Sequence, residues 1–203
     1  MKRILLNSTL LIIASAFMFS CSDDDETNVK EDDSFSYKNK SYDITHTMIL
    51  DWGAVSFYGE QEESHYRYYF ILGNGEYGYV DDPNNPGKKL VTRDGVSYEL
   101  YFKLSSPSTD KFVGGTFPVY TPSSSPTVSE VKDKYLLQYG EVWFDTNGNG
   151  NYEQALDEVA LATNGEVTVS GSGTDLTISY DLTLDNGETV QGQYSGTFPI
   201  YAK

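Results

Sequence analysis

The chain is 203 residues long and carries 30 acidic against 14 basic residues, a formal net charge of −16. With no basic stripe to neutralise phosphates, nucleic acid is excluded as a partner, and electrostatic adhesion to anionic lipid is disfavoured on the same ground. A single cysteine rules out an internal disulfide, and 17 Tyr, 10 Phe and 18 Gly against three Met favour strands and tight turns over helices.

Taken in chain order, Lys2 and Arg3 precede an apolar run from Ile4 to Phe19, and the small Ser20 stands directly before Cys21. The run is 16 residues long and contains Asn7, Ser8 and Thr9, whereas a membrane span needs about 20 predominantly apolar residues. The pattern is that of a cleaved secretion signal over residues 1–20, ending at a lipid-attachment site on Cys21. Loss of Lys2 and Arg3 with the signal leaves 12 basic against 30 acidic residues, a charge of −18. Acylation of Cys21 removes the last thiol, so thiol catalysis is excluded. Residues 21–34, opening Cys21-Ser22-Asp23-Asp24-Asp25-Glu26, hold too little apolar surface to offset the entropy of ordering them, and read as a flexible acidic tether.

Residues 35–203 are long enough to bury one good core as a single domain. Asn39-Lys40 reads as a two-residue turn between strands over 35–38 and 42–50, with Trp52 and Gly53 following a bend. Tyr66, Tyr68, Phe70 and Leu72 then alternate with His65, Arg67 and Tyr69, the period-two signature of a strand. Asp81-Asp82-Pro83-Asn84-Asn85-Pro86-Gly87 is a loop.

An internal echo follows. Ser97-Tyr98-Glu99-Leu100 recurs as Ser179-Tyr180-Asp181-Leu182, and Gly115-Thr116-Phe117-Pro118-Val119-Tyr120 as Gly196-Thr197-Phe198-Pro199-Ile200-Tyr201, at offsets of 82 and 81 residues. Each copy reads as a hairpin. In the second, Leu176, Ile178, Tyr180, Leu182 and Leu184 share a face, Asp185-Asn186-Gly187 turns the chain, and Val190, Tyr194 and Phe198 return on one side. Between the copies, a short segment from Val128 feeds a strand over 135–145, partnered by one over about 157–163. The expected fold is all-β: a single antiparallel β-sandwich domain built of hairpins, with a lipocalin-like closed barrel as the alternative.

Two constellations carry chemistry. In Asp145-Thr146-Asn147-Gly148-Asn149-Gly150-Asn151, alternate oxygen-bearing side chains with Gly at the sixth position match the first half of a calcium loop. Position twelve is Leu156, so Asp157 or Glu158 has to supply the missing acid, and the expected Ca²⁺ affinity is weak, about 10⁻⁴ to 10⁻³ M. Asn-Gly pairs also make hairpin tips unaided. The second constellation is aromatic: Trp52, Trp143, Tyr58, Tyr69 and Tyr101 are candidates for a platform that stacks on sugar rings, against the alternative of ordinary packing. His46 and His65 stand in no metal-ligand spacing, no Gly-rich loop precedes a helix, and no carboxylate spacing selects a catalytic pair.

Cys21 followed by Ser22-Asp23-Asp24-Asp25 resembles the export signal that sends Bacteroidota lipoproteins to the outer cell surface. Ser41-Tyr42-Asp43, the Gly-Thr-Phe-Pro-x-Tyr motif and Asn186-Gly187-Glu188-Thr189-Val190-Gln191-Gly192-Gln193-Tyr194-Ser195-Gly196 likewise resemble the layout of small Bacteroidota lipoproteins of unknown function, over most of residues 36–203. The resemblance implies an outer-membrane lipid anchor facing the medium and adds no activity. The expected function is a non-enzymatic surface binding module for a glycan or other extracellular ligand. An accessory subunit docked on a neighbouring outer-membrane protein is the rival, and a small glycan hydrolase the third reading.

Overall fold

Period-two alternation is clearest in the strand over Asp175–Leu184, where every second side chain is buried. The computed structural model describes residues 33–57, 62–122, 128–153 and 155–202. The leader, Cys21, the tether up to residue 32 and Tyr58 lie outside them. The strands are β1 (Ser34–Tyr37), β2 (Lys40–Asp43), β3 (His46–Val55), β4 (His65–Gly73), β5 (Glu76–Asp81), β6 (Lys89–Asp94), β7 (Tyr98–Ser106), β8 (Gly115–Pro118), β9 (Leu136–Phe144), β10 (Glu158–Ser172), β11 (Asp175–Leu184), β12 (Thr189–Thr197) and β13 (Ile200–Ala202). One four-residue helix, α1 (Val128–Val131), precedes β9.

The protein is all-β. Its main sheet has eleven strands in the order β13-β3-β4-β7-β9-β10-β11-β12-β1-β2, with β8 also paired to β10, and β5 and β6 form a separate hairpin. As expected, the pairing is overwhelmingly antiparallel; the exceptions among the described residues are β13, which lies parallel to β3, and an isolated parallel bridge between Val119 and Leu137. β13 follows β12 after only Phe198-Pro199 but does not fold back on it: Phe198 is completely buried and Ile49 N donates to the Pro199 carbonyl at 2.8 Å, which ties the link to β3.

β10 holds the two halves of the sheet together. Glu158–Leu161 pair with β9, and Glu166–Val169 pair with β8 on the same edge. Between them lies a bulge at Ala162/Asn164 and Gly165, whose φ is +100°. Past this bend, β11 and β12 pack their apolar face against that of β4, β7 and β9. Leu100, Phe102 and Leu104 meet Leu176, Ile178, Tyr180, Leu182 and Leu184 in one buried cluster, with the Phe102 and Tyr180 rings 5.2 Å apart. Each fully buried side chain of this kind contributes about 1.5–3 kcal/mol. The second copy of the echo is the hairpin expected, β11–β12 turning at Asp185-Asn186-Gly187.

Several expectations are displaced by packing. The first tight turn is Lys38-Asn39, both at positive φ, and not Asn39-Lys40. The observed register pairs Tyr37 with Lys40 and buries Tyr37, and a one-residue slip would turn that ring outward. At Trp52-Gly53 the chain makes a bulge inside a continuous strand and does not turn. The first copy of the echo is no hairpin: β7 pairs β4 and β9, while β8 pairs β10. Phe112 in the link stacks on Tyr68 at 4.4 Å and on Phe117 at 5.5 Å, which carries β8 away from β7. Phe117 and Phe198, equivalent in the two copies, are both completely buried.

Gly165→Ala tests the bend. A Cβ there would overlap the carbonyl oxygen of Asp181 and sit at a φ that L-residues avoid. The variant is expected to lose about 1–3 kcal/mol or more of stability, read as a lower midpoint in chemical denaturation. A wild-type midpoint would show that the bend does not depend on glycine.

Candidate functional site

The alternation that sends Leu100, Phe102 and Leu104 inward sends Glu99, Tyr101, Lys103 and Ser105 to the opposite face of β7. That outer face of β3, β4, β7 and β9 is only partly covered. The β5–β6 hairpin lies over the β3–β4 end, where Met48, Leu50 and Ile71 pack with Tyr77, Tyr79 and Val91. It is clamped to β7 by a bidentate ion pair: Arg93 Nε and Nη2 donate to Glu99 Oε2 and Oε1 at 2.7 and 2.8 Å. Beyond the hairpin a cleft of about 510 Å³ opens over β7 and β9, within the range of about 300–1,000 Å³ usual for small-ligand sites.

One aromatic side chain from each of four neighbouring strands forms a row across this face. Ring centroids are 4.7 Å apart from Trp52 to Tyr69, 5.4 Å from Tyr69 to Tyr101 and 5.9 Å from Tyr101 to Tyr139. Trp52 is the extra residue of the β3 bulge, which re-aims it towards Tyr69. Tyr69, Tyr101, Tyr139 and Tyr152 line the cleft together with Arg93, Glu99, Lys103, Gln138 and Glu141. Trp52 instead faces a neighbouring hollow of about 450 Å³ beside Tyr79, Lys88 and Lys89.

Of the residues expected to form a sugar platform, Trp52, Tyr69 and Tyr101 stand in this row, and Tyr58 lies outside the described residues. Trp143 is placed elsewhere. It is 1% exposed, its indole N–H donates to Asp157 Oδ2 at 2.9 Å, and the Arg93 guanidinium lies 5.9 Å over its ring. A ring packed on both sides offers no face to a ligand, so its role is to support the cleft floor. Tyr139 and Tyr152, 37% and 39% exposed, are the most accessible rings of the site and escaped sequence reasoning. Tyr152 sits in a loop without periodicity, and only its tertiary position brings it to β9.

The 145–157 loop is the wall that carries Tyr152. Asp145 Oδ1 accepts from Gly148 N at 2.7 Å and Oδ2 from Gly150 N at 2.6 Å, and these backbone bonds, led by that of Gly150, hold its carboxyl below the ordinary aspartate value. Asn147 Oδ1 and Asn149 Oδ1 accept from the amides of Asn149 and Asn151, and both amide NH₂ groups donate to Glu153 Oε2. Asn151 donates its side-chain amide to the Asn149 carbonyl at 3.3 Å. Asp157 accepts from Trp143, from Glu153 N at 2.7 Å and from Thr146 N at 3.3 Å. Glu158 leaves the loop altogether, taking the Tyr37 hydroxyl at 2.6 Å and Lys38 Nζ at 2.5 Å. Of the six residues considered for calcium, five share the loop and Glu158 does not, and among the described residues no three His, Cys, Asp or Glu side chains converge on a metal-sized site. Glu153 is the acid that does reach the loop centre.

At the floor, Glu141 Oε2 accepts from the hydroxyls of both Tyr139 and Tyr152, the latter at 3.1 Å. Burial pushes the Glu141 carboxyl above its ordinary value. The two phenol hydrogen bonds and Arg93 pull the other way, and the nearby Glu99 charge adds to the rise. Burial and the Glu141 charge push the Tyr152 phenol up to about 12. Lys103 Nζ lies 5.8 Å over the Tyr69 ring, and burial, with Arg67 beside it, lowers its ammonium below the ordinary lysine value. His65 is remote from the cleft, buried against Phe57 with Nδ1 at Ser64 Oγ and Nε2 donating to the Lys134 carbonyl. No family model, no curated protein and no solved structure matches the chain.

Two measurements probe this construction. Asp157→Ala strips the acceptor from a buried indole N–H and two backbone amides, so a loss of about 1–3 kcal/mol is expected, with a red shift in tryptophan emission as Trp143 loosens. Unchanged stability and emission would mean that the loop is not anchored there. For Glu141, a folded-state pKa above the ordinary value of 4.5 means that its stabilising contribution is complete below about pH 4.5. That contribution is lost as pH rises through the folded value. Glu141→Gln keeps an acceptor for the phenols and removes the charge. Melting curves from pH 4 to 8 should show the variant at least as stable as wild type at neutral pH, with the difference shrinking on acidification.

Proposed function

We propose that the chain is a lipid-anchored binding module of the outer cell surface, taking an extracellular glycan into the cleft over β7 and β9. The observation that supports this most is the row of rings borne by β4, β7 and β9, interleaved with Arg93, Lys103, Gln138 and Glu141. Sugar rings have one face of C–H groups and a rim of hydroxyls. Flat phenols suit the first, and charged or amide groups within reach of the same rings suit the second. Because the rings stand on strands, their spacing is set before any ligand arrives. The anchor reading rests on the Lys2-Arg3, Ile4-to-Phe19 and Cys21 pattern.

The two other readings draw less support. Docking through an edge of the main sheet would use β2 or β13, which are four and three residues long; β2 carries Lys40 and Asp43 at its ends, and the six-residue edges of the β5–β6 hairpin end in Glu76, Asp81, Lys89 and Asp94. Short, charged edges discourage strand addition. A hydrolase would draw on Glu99 and Glu141, but Glu99 is already gripped by Arg93 through both oxygens and Glu141 by two phenols.

The test is binding of the full-length chain to a broad panel of oligosaccharides, followed by titration of the best ligand. Tyr101→Ala is expected to weaken binding about tenfold or more, as removal of a central aromatic anchor does, with the melting temperature monitored in parallel. If no saccharide binds, or if Tyr101→Ala binds as wild type does, the cleft is not a glycan site.

A further inference from the structure

We infer that the glycan is an acidic one, seated with its anionic substituent on Lys103 and Gln138; this rests on the glycan reading above and specifies its ligand. The two ends of the cleft differ in chemistry. At the Glu141 end the carboxylates are already satisfied, Glu99 by Arg93 and Glu141 by Tyr139 and Tyr152. At the other end stand the Lys103 ammonium and the Gln138 amide, with no carboxylate among the lining residues beside them.

The orientation of Gln138 follows from a relay. Arg67 Nε donates to Ser105 Oγ at 3.1 Å, and Ser105, completely buried, donates its hydroxyl proton to Gln138 Oε1 at 3.0 Å. Arginine has no acceptor, so the serine must accept on that side and give its single proton to the glutamine oxygen. The Gln138 NH₂ is therefore turned away from Ser105, and among the described residues it has no acceptor. Lys103 pairs with Tyr139, the neighbour of Gln138, across β7 and β9 and also lines the cleft; it likewise has no carboxylate partner among the described ion pairs.

Other lysines without an ion pair, such as Lys40, Lys88 and Lys132, stand exposed in solvent, whereas Lys103 is partly buried in the lining of the cleft. Half-covered, with Arg67 on the neighbouring strand, Lys103 gains from any anion that the cleft admits. An amide donor and an ammonium side by side match a uronate carboxylate or a sulfate ester equally well. Neutral sugars would leave the ammonium with only hydroxyl partners, and hydrogen bonds to charged groups are stronger when the acceptor is itself an anion. The phenol row then lies under the ring that bears the anion, with Glu141 kept at the far end, where a second negative charge would be repelled least.

Calorimetry with the full-length chain compares three oligosaccharides of matched length: an oligogalacturonate, a sulfated chondroitin fragment and a neutral hexose oligomer. Acidic ligands are expected to bind more tightly than the neutral one, and more weakly as salt rises. The tighter of the two acidic arms identifies carboxylate or sulfate. Lys103→Gln should cost about tenfold for the acidic ligands and leave the neutral one unchanged, and Lys103→Arg should restore most of the loss. If the neutral oligomer binds as tightly as the acidic ones, or if Lys103→Gln changes nothing while Tyr101→Ala abolishes binding, the inference fails and the glycan reading stands. Absence of binding to all three, and to every other saccharide tried, overturns both.

Discussion

Strand β10 has to satisfy two different neighbours on one edge, β9 along its first residues and β8 further on, while β11 runs along the other. A straight strand cannot do this. The bulge at Ala162/Asn164 and the positive φ of Gly165 supply the change of direction, and Gly165 is held so close to the Asp181 carbonyl that no side chain fits. Through this bend the β11–β12 hairpin comes to lie against the apolar face of β4, β7 and β9, and Phe70, Phe102, Phe117, Tyr180 and Phe198 are removed from water there. The aromatic groups at the margins of this core, Tyr42 with Phe144 and Phe112 with Tyr68, extend the same apolar contact to its ends.

Once the inner face is sealed, whatever this domain binds must be met on the outer face or at the rims. The β5–β6 hairpin covers one part of that face with apolar packing and leaves the rest open. Its attachment through Arg93 and Glu99 is a nearly buried ion pair, with the Glu99 side chain 3% exposed. Such a pair adds little net stability by itself but is costly to break once formed, so it fixes where the hairpin ends and the cleft begins. On the opposite side Asp157 ties the 145–157 loop to Trp143, and Tyr152 with it to Glu141. Tyr101 and Lys103, which stand between these two walls, come from a single strand, and the hairpin and the loop give them a shape around them.

Much of this was legible beforehand. The alternation in 65–72 separates Phe70 and Leu72 from Arg67 and Tyr69 as the structure does, and the face assigned to Leu176, Ile178, Tyr180, Leu182 and Leu184 is the buried one. Tyr101 was recognisable as a candidate ring, and the same period of two would have put Glu99 and Lys103 beside it. Trp143 was misplaced because a tryptophan on a strand carries no mark of which side will be covered. Asp145 to Asn151 has the spacing of oxygens that a cation favours, yet the same oxygens suit the amides of a tight turn, and local spacing does not separate the two uses. The first Gly-Thr-Phe-Pro copy looked like the second because their local patterns agree; the link holding Phe112 sends its strand to a different partner.

Taken alone, the amino-acid order determined that the chain would be built of strands, which side chains share a face in the alternating stretches 65–72 and 176–184, and that its charge would be strongly acidic. These are properties of neighbours in sequence, set by backbone pleat and by composition. Tertiary structure alone decided that Gly165 is a corner, that one ring from each of four separate strands forms a row, that Arg93 finds Glu99, and that Ser105 turns the amide of Gln138 towards the cleft. Those outcomes depend on the order of strands in the sheet, which is selected by the packing of residues far apart in the chain, and no short stretch of sequence contains that information.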